Sequence, residues 1–459
     1  MKRQGGPATL WSGSVDRATF GYTAGSDREW DAQLLTWDIL GSLGHVEGLR
    51  ASRLLTATQH CGLQRGLRAA LRAAGSGDLR VSPRDEDVHT AVEQWLTHRL
   101  GRTGAMLHTG RSRNDQVCCD LRLYLKDRVL QATTSAVDAA AALLALARRE
   151  SRTLWPGYTH LRRAMPSSVG LWAAAYAEGI IGSLESAPDL WRAVDRSPLG
   201  SAAGYGVPLP LKREAAARAL GFGGLDHVVA SVQHGRGKVE AAVLFWCVQV
   251  GQELSRLAGD LILYSTDEFG FLELPADLAT GSSIMPHKRN PDVFELTRAR
   301  VAALEGDLAA VLAIRSKLSG GYHRDFQLLK EPLMRGLART SDALAMMARA
   351  VPRIGVHRSR CAAALRGGLL ATDEVMRRVE SGQPFRLAYR QVAAELGRGG
   401  VVPAPTRAEI LRRRRSTGAL GNLGLASLAA RLSRARRWQR AQRLGFDRAM
   451  ARLAGGKVL

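Results

Sequence analysis

Cysteine is scarce in this chain, with five among 459 residues, at Cys61, Cys118, Cys119, Cys247 and Cys361. An odd count without C-x-x-C spacing excludes a disulfide framework and a thiolate metal site. The apolar surroundings of the five read as buried thiols in a reducing compartment. Long apolar runs are missing too, none approaching the roughly 20 residues of a membrane span. Met1 to Pro7 lacks the apolar core of a signal peptide, so a cytoplasmic protein with no membrane partner is expected. β-Branched residues are fewer than Ala and Leu, which disfavours sheet and favours helix. Acidic residues are outnumbered 42 to 65 by Lys and Arg, for a formal net charge of +23. Val401 to Leu459 alone holds fourteen Arg or Lys against Glu409 and Asp447, a net of +12. That balance fits an acidic small-molecule substrate or an arginine-rich solvated surface; a nucleic-acid partner is the less favoured reading.

What the chain does have is helical periodicity. Val117, Leu121, Leu125 and Val129 recur every four residues in a segment free of Gly and Pro from Asp115 to Leu154. Lys238–Tyr264 and Asp292–Leu318 are patterned in the same way. Helices of this length would run roughly 40 to 60 Å at 1.5 Å per residue, too long for a compact monomer, which points to a bundle shared between subunits. Trp30 to Ala74 is helical in pattern, and residues 1 to about 29 read as an arm. The Gly-rich stretch Gly200–Gly206 follows no strand and lacks dinucleotide spacing, so no nucleotide cofactor is implied.

The chemistry concentrates in polar loops between these segments. Asp87 and His89 stand at a helix start, where a carboxylate complements the macrodipole. His108-Thr109-Gly110-Arg111-Ser112-Arg113-Asn114-Asp115-Gln116 opens the first long helix, and free backbone N–H groups with two arginines there would seat a carboxylate. Thr159-His160 lies in a second loop. Thr280-Gly281-Ser282-Ser283-Ile284-Met285-Pro286-His287-Lys288-Arg289-Asn290 is a third. Gly281, Pro286 and Pro291 keep it from regular structure, so Ser282, Lys288 and Asn290 ride on a mobile loop of the kind that closes over a site.

The string Gly281-Ser282-Ser283-Ile284-Met285-Pro286-x-Lys288-x-Asn290 resembles the signature loop of the fumarase/aspartase superfamily, whose members release fumarate by elimination. Taken with His108–Gln116, Gly157–Leu161 and Tyr322-x-x-Asp325-x-Gln327-x-x-Lys330, the chain is similar to the argininosuccinate lyase family from about Leu10 to Gly355. The resemblance implies an all-α, three-domain subunit whose long central helices form a multi-subunit bundle. The expected boundaries are 1–107, 108–355 with the signature loop, and 356–459, the basic helical part. It also implies a homotetramer with sites shared between chains, and needs neither metal nor organic cofactor.

Carried over residue by residue, the resemblance makes Ser282 the base and His160 the group that protonates the leaving nitrogen, directly or by relay. Glu295 orients that histidine. Lys288 and Asn290 hold the charge of the aci-carboxylate intermediate, as an elimination beside a carboxylate demands. Arg113, Asn114 and Thr159 hold the succinyl carboxylates. Tyr322, Gln327 and Lys330 surround the arginine half, Asp87 and His89 line the same pocket, and Arg236 contributes. Departures from the family pattern stand at Ser14 (an arginine missing from the N-terminal motif), Asp27 (for serine), Arg162 and Met165 (for glutamines), and His287 and His323. The expected reaction is argininosuccinate to arginine and fumarate, as in arginine biosynthesis. Two alternatives stay open: a sister lyase acting on another succinyl-amine, as in secondary metabolism, and an idle structural or nucleic-acid-binding homologue.

Overall fold

A computed structural model describes residues 16–456 except 83, 403 and 404. The departure at Ser14 and the N-terminal motif that holds it lie outside the described residues. The first described elements are helices and not an arm: Asp16 accepts the N–H groups of Ala18 and Thr19 and so starts a helix over Arg17–Ala24. The patterned stretch from Trp30 breaks after α1 (Leu35–Ala51), where Arg53 takes a positive φ of 59°. A Thr56/Gln59 capping box then starts the next helix, Ala57–Ser76. Asp87 caps α2 (Val88–Leu100) through the N–H of Thr90.

The longest helix, α3 (Arg113–Arg149), starts on a Ser112/Asp115 capping box. Asp115 also accepts the N–H groups of Gly200 and Ala202, at 3.0 and 2.9 Å. The Gly-rich stretch therefore braces the start of α3. The helix ends sooner than its composition suggests, because the buried carboxylate of Glu150 is taken by Thr153 and Arg358 at 2.6 and 2.8 Å. Leu154 then begins β1 (Leu154–Thr159), which pairs antiparallel with β2 (Arg162–Ser168).

Four further helices complete the bundle: α4 (Val169–Val194), α5 (Lys238–Tyr264), α6 (Asp292–Ser316) and α7 (Lys330–Ala350). α4 escaped the sequence reading because Pro188 and several glycines interrupt its pattern. Ser168 starts it by accepting the N–H of Leu171 at 2.9 Å. One apolar core runs through these helices, including Leu121, Val129, Ile180, Leu244, Leu254, Phe294, Leu304 and Leu337.

α3 is long and apolar enough by composition to cross a membrane, against the sequence expectation, but 67% of that window is buried within the protein. It is a core helix. The basic C-terminal part ends in α8 (Leu425–Ala454), which returns to the bundle. Trp438 meets Trp191 on α4, Arg431 pairs with Glu178 and Glu185, and Arg443 pairs with Asp127. In the Arg412–Arg415 run, Arg413 reaches Glu380 and Arg414 reaches Asp373. Arg413, Arg414, Arg431 and Arg443 are thus paired within the protein. Four cysteines are buried as expected; Cys61 is exposed, on the outer side of its helix.

Candidate active site

α5 and α6 are antiparallel, which decides what each end of the bundle carries. Gln252 of α5 bonds Glu305 of α6 near their middles, and a side chain added at Gly237, just before α5, would meet Arg315 near the end of α6. At the opposite end, Trp155 of β1 packs on Tyr264, the last residue of α5, with ring centroids 4.7 Å apart. The starts of α3, α5 and α7 and the segment after α6 therefore gather at one end. The hairpin and the loop preceding α6 gather at the other. With 27 residues in α5, the ends are separated by roughly 40 Å.

The first end holds a cavity of about 160 Å³. Eight of the nine residues assigned to substrate binding line it: Asp87, His89, Arg113, Asn114, Arg236, Tyr322, Gln327 and Lys330. Asp27, the departure from the family's serine, lines it as well, together with Asp31, Glu86 and Arg324, which sequence reasoning did not assign to the site.

Charge pairs hold the cavity open before any ligand arrives. Lys330 is buried and bonds Asp27 at 2.7 Å and Asp31 at 2.8 Å. Burial pushes its ammonium pKa down, but Asp31 and Asp27 outweigh that and keep it above the usual lysine value. Arg113 is held by Glu86 and bonds Thr90 Oγ1 at 2.8 Å. Gln327 donates to the carbonyl of Thr23 at 2.9 Å. Arg236 differs from these: it is 2% exposed, lies over the Phe326 ring, and its Nη1 has no hydrogen-bond partner, while its Nε stands 3.6 Å from the buried carboxylate of Glu240. A buried guanidinium donor left without an acceptor suits an anion in the cavity.

Asp27, where the resembled family has serine, carries its own cost. Burial, opposed by Lys330 and reinforced by Asp31, pushes its carboxyl up to about 6. A raised acid favours the folded state most at low pH, and that contribution is lost as pH rises through the folded value. Asp27→Asn is therefore expected to raise the melting temperature at pH 8 relative to wild type by a few degrees. The gain should fade as pH falls from 6 to 4, and thermal melts across that range check the sign.

The second end holds the remaining assigned residues. Thr159 and His160 stand at the apex of the β1–β2 hairpin, both exposed. His160 and Leu161 have φ of 52° and 56°, left-handed geometry that two-residue hairpin turns require and that Asn-Gly usually supplies. Non-glycine residues hold such a turn at a cost, a kind of strain that concentrates at functional sites. The departures Arg162 and Met165 are exposed on the same hairpin, and His287 is exposed on the signature loop.

That loop is closed by a short ladder pairing Thr280–Gly281 with Arg289–Asn290. Ser282 Oγ accepts the N–H groups of Ile284 and Met285, at 3.3 and 3.1 Å. Two such donors stabilise negative charge on that oxygen. Lys288 is exposed and Ile284 is 83% exposed, an apolar side chain that nothing among the described residues covers. Glu295 is exposed in the first turn of α6. Among the described residues no hydrogen bond joins Ser282, His160 and Glu295 to one another, nor any of them to the cavity. The assigned residues thus fall into two groups, a bundle length apart. Among the described residues only Asp38, His89 and Asp120 bring three potential metal-ligand atoms within 4.8 Å.

Residues 54–306 match the family model described as Lyase. The fold is that of EDDS lyase in complex with formate, with a TM-score of 0.80 at 24% identity over 97% of this chain and 95% of that one. Class II fumarase from Schistosoma mansoni superposes with a TM-score of 0.72 at 15% identity, covering 89% and 94%. Fold and family model together define a lyase of the fumarase/aspartase superfamily.

Sequence similarity narrows the class. The argininosuccinate lyase of Sorangium cellulosum is 44% identical over 93% of this chain and 98% of its own length. That of Thermotoga neapolitana is 38% identical over 84% and 97%. The chain belongs to the argininosuccinate lyase family.

Proposed function

We propose that this protein cleaves argininosuccinate to arginine and fumarate, as a cytoplasmic homotetramer in which each active site joins the cavity of one subunit to the signature loop and hairpin of others. In this reading Ser282 removes the proton from the carbon beside the succinyl carboxylate. The electrons left behind are held as an aci-carboxylate by Lys288 and Asn290. They return to form the double bond as the carbon–nitrogen bond breaks. The departing nitrogen is protonated by His160, directly or by relay, with Glu295 orienting the ring. Arg113, Asn114 and Thr159 hold the carboxylates, and the cavity residues from Tyr322 to Lys330 hold the arginine half. A three-domain subunit divided at 107/108 and 355/356 belongs to the same proposal.

One observation carries this reading: the cavity has buried cationic donors but neither Ser282 nor His160, while the exposed loop and hairpin carry those two groups without enclosing walls. Bringing the two together completes an elimination site, and the uncovered Ile284 supports docking of the loop against another surface. The sister-lyase alternative draws support from Asp27, an added carboxylate on the wall that would receive the amine. Fumarate absorbance with argininosuccinate and a panel of other succinyl-amines tests both. Argininosuccinate is expected to be the best substrate, with arginine as co-product. Fumarate from another succinyl-amine alone would transfer the assignment to the sister activity, and fumarate from none would end it.

A further inference from the structure

Behind the cavity wall lie two buried carboxylates, Asp38 and Asp120, to which the proposed reaction gives no role. His89 lines the cavity, and its Nδ1 sits 2.7 Å from Asp38 Oδ1 on α1 and 3.7 Å from Asp120 Oδ2 on α3. None of the three is more than 3% exposed. Gln116 Nε2 also donates to Asp38 Oδ1, at 3.0 Å, while Asp38 Oδ2 and Asp120 Oδ2 have no hydrogen-bond partner.

Charge balance limits how such a cluster can be protonated. Two ionised carboxylates beside a neutral imidazole would leave two uncompensated buried charges, which is strongly unfavourable. A charged imidazole, one carboxylate and one carboxylic acid sum to zero. The surroundings favour that arrangement. Burial, then the neighbouring Asp38, push the Asp120 carboxyl well above the usual range. Burial works against a charged His89, but Asp38, then Asp87 and Asp120, outweigh it and raise the imidazole to about 10. Asp31 also acts on His89, and Arg111 acts on Asp120. With Nδ1 committed to Asp38, Nε2 is the ring nitrogen left for the cavity.

We propose that Asp38 is a positioning residue that fixes His89 as a cation with its Nε2–H offered to an anionic oxygen of the substrate, Asp120 carrying the proton that neutralises the cluster. The proposal rests on the cavity being the anion-binding half of the active site. His89 then gives a charge-assisted hydrogen bond at every working pH and does not switch off near neutrality as an ordinary histidine would.

Steady-state kinetics of Asp38→Asn and Asp120→Asn from pH 6 to 8 test it, with thermal melts to confirm folding. Asp38→Asn should raise KM roughly ten- to a hundredfold with little change in kcat, the scale of a lost charged hydrogen bond. Its KM should also climb further as pH rises through the ordinary histidine range, a step absent from wild type. The Asp120→Asn effect should be at least about fivefold smaller, because an amide replaces a group already uncharged. A kcat loss with a flat, unchanged KM, or a tightly bound divalent ion in wild type that Asp38→Asn loses, would overturn the proposal.

Calorimetric binding of succinate to wild type needs neither variant nor turnover. Between pH 7.5 and 8.5, above the Asp27 range, binding should take up no proton. Uptake of about one proton would mean that His89 is neutral in the free protein, and absence of binding would remove the anion site itself. Either result overturns the proposal. If no succinyl-amine yields fumarate, the functional reading fails while the succinate titration still decides the charge of His89.

Discussion

Ser282→Ala is expected to lower kcat for fumarate release by roughly 10²- to 10⁴-fold, the range general-base catalysis supplies, while leaving substrate affinity within severalfold of wild type. The separation follows from where the groups lie. Ser282 Oγ sits on an exposed loop and accepts two backbone N–H groups, and no cavity residue depends on it. Alanine removes the oxygen and leaves Arg113, Arg236 and Lys330 as they were. Fumarate absorbance gives kcat, and calorimetry with the inactive variant gives the dissociation constant. A near-wild-type rate would remove Ser282 from the role of base, and a parallel collapse of affinity would make it a binding residue.

The second large effect is recovery of activity from two dead proteins. Ser282→Ala disables the loop end and Arg113→Ala the cavity end, so each alone should be nearly inactive. If the half-sites of one site come from different chains, mixing the two variants after dissociation should restore up to about a quarter of wild-type activity, since random assembly gives that share of sites two intact halves. If each chain closed its own site, no assembly of the two could recover. Mixed oligomers of the two variants, confirmed by mass spectrometry and still inactive, would count against shared sites. The geometry makes recovery the expected result: α6 alone, with 25 residues, holds the signature loop and the Tyr322–Lys330 segment roughly 37 Å apart.

Local signals in the sequence were read well where one element suffices to express them. The limits of α5 follow from apolar periodicity alone, and Asp87 is the cap its position suggested. The nonhelical character of residues 280–290 follows from Gly281, Pro286 and Pro291. Errors arose where a distant partner intervened. α3 stops at Arg149 because Arg358, far along the chain, takes the Glu150 carboxylate at its end. The segment holding Thr159 and His160 is a hairpin because β2 pairs with it, and no Asn-Gly announced the turn. α4 is helical despite Pro188 because its apolar face has the bundle to pack against.

By itself the sequence determined which groups could perform an elimination, because serine, lysine, asparagine and histidine bring their chemistry wherever they are placed, and it determined that the chain is helical, because periodicity is local. Only the tertiary structure decided that these groups lie at the end of the bundle opposite the cavity, that Arg236 is buried with its Nη1 lacking a partner, and that Asp38 and Asp120 flank His89. Those outcomes depend on which helices pack side by side and in which direction. Such choices are made by burial of surfaces far apart in the chain, which no stretch of it encodes alone.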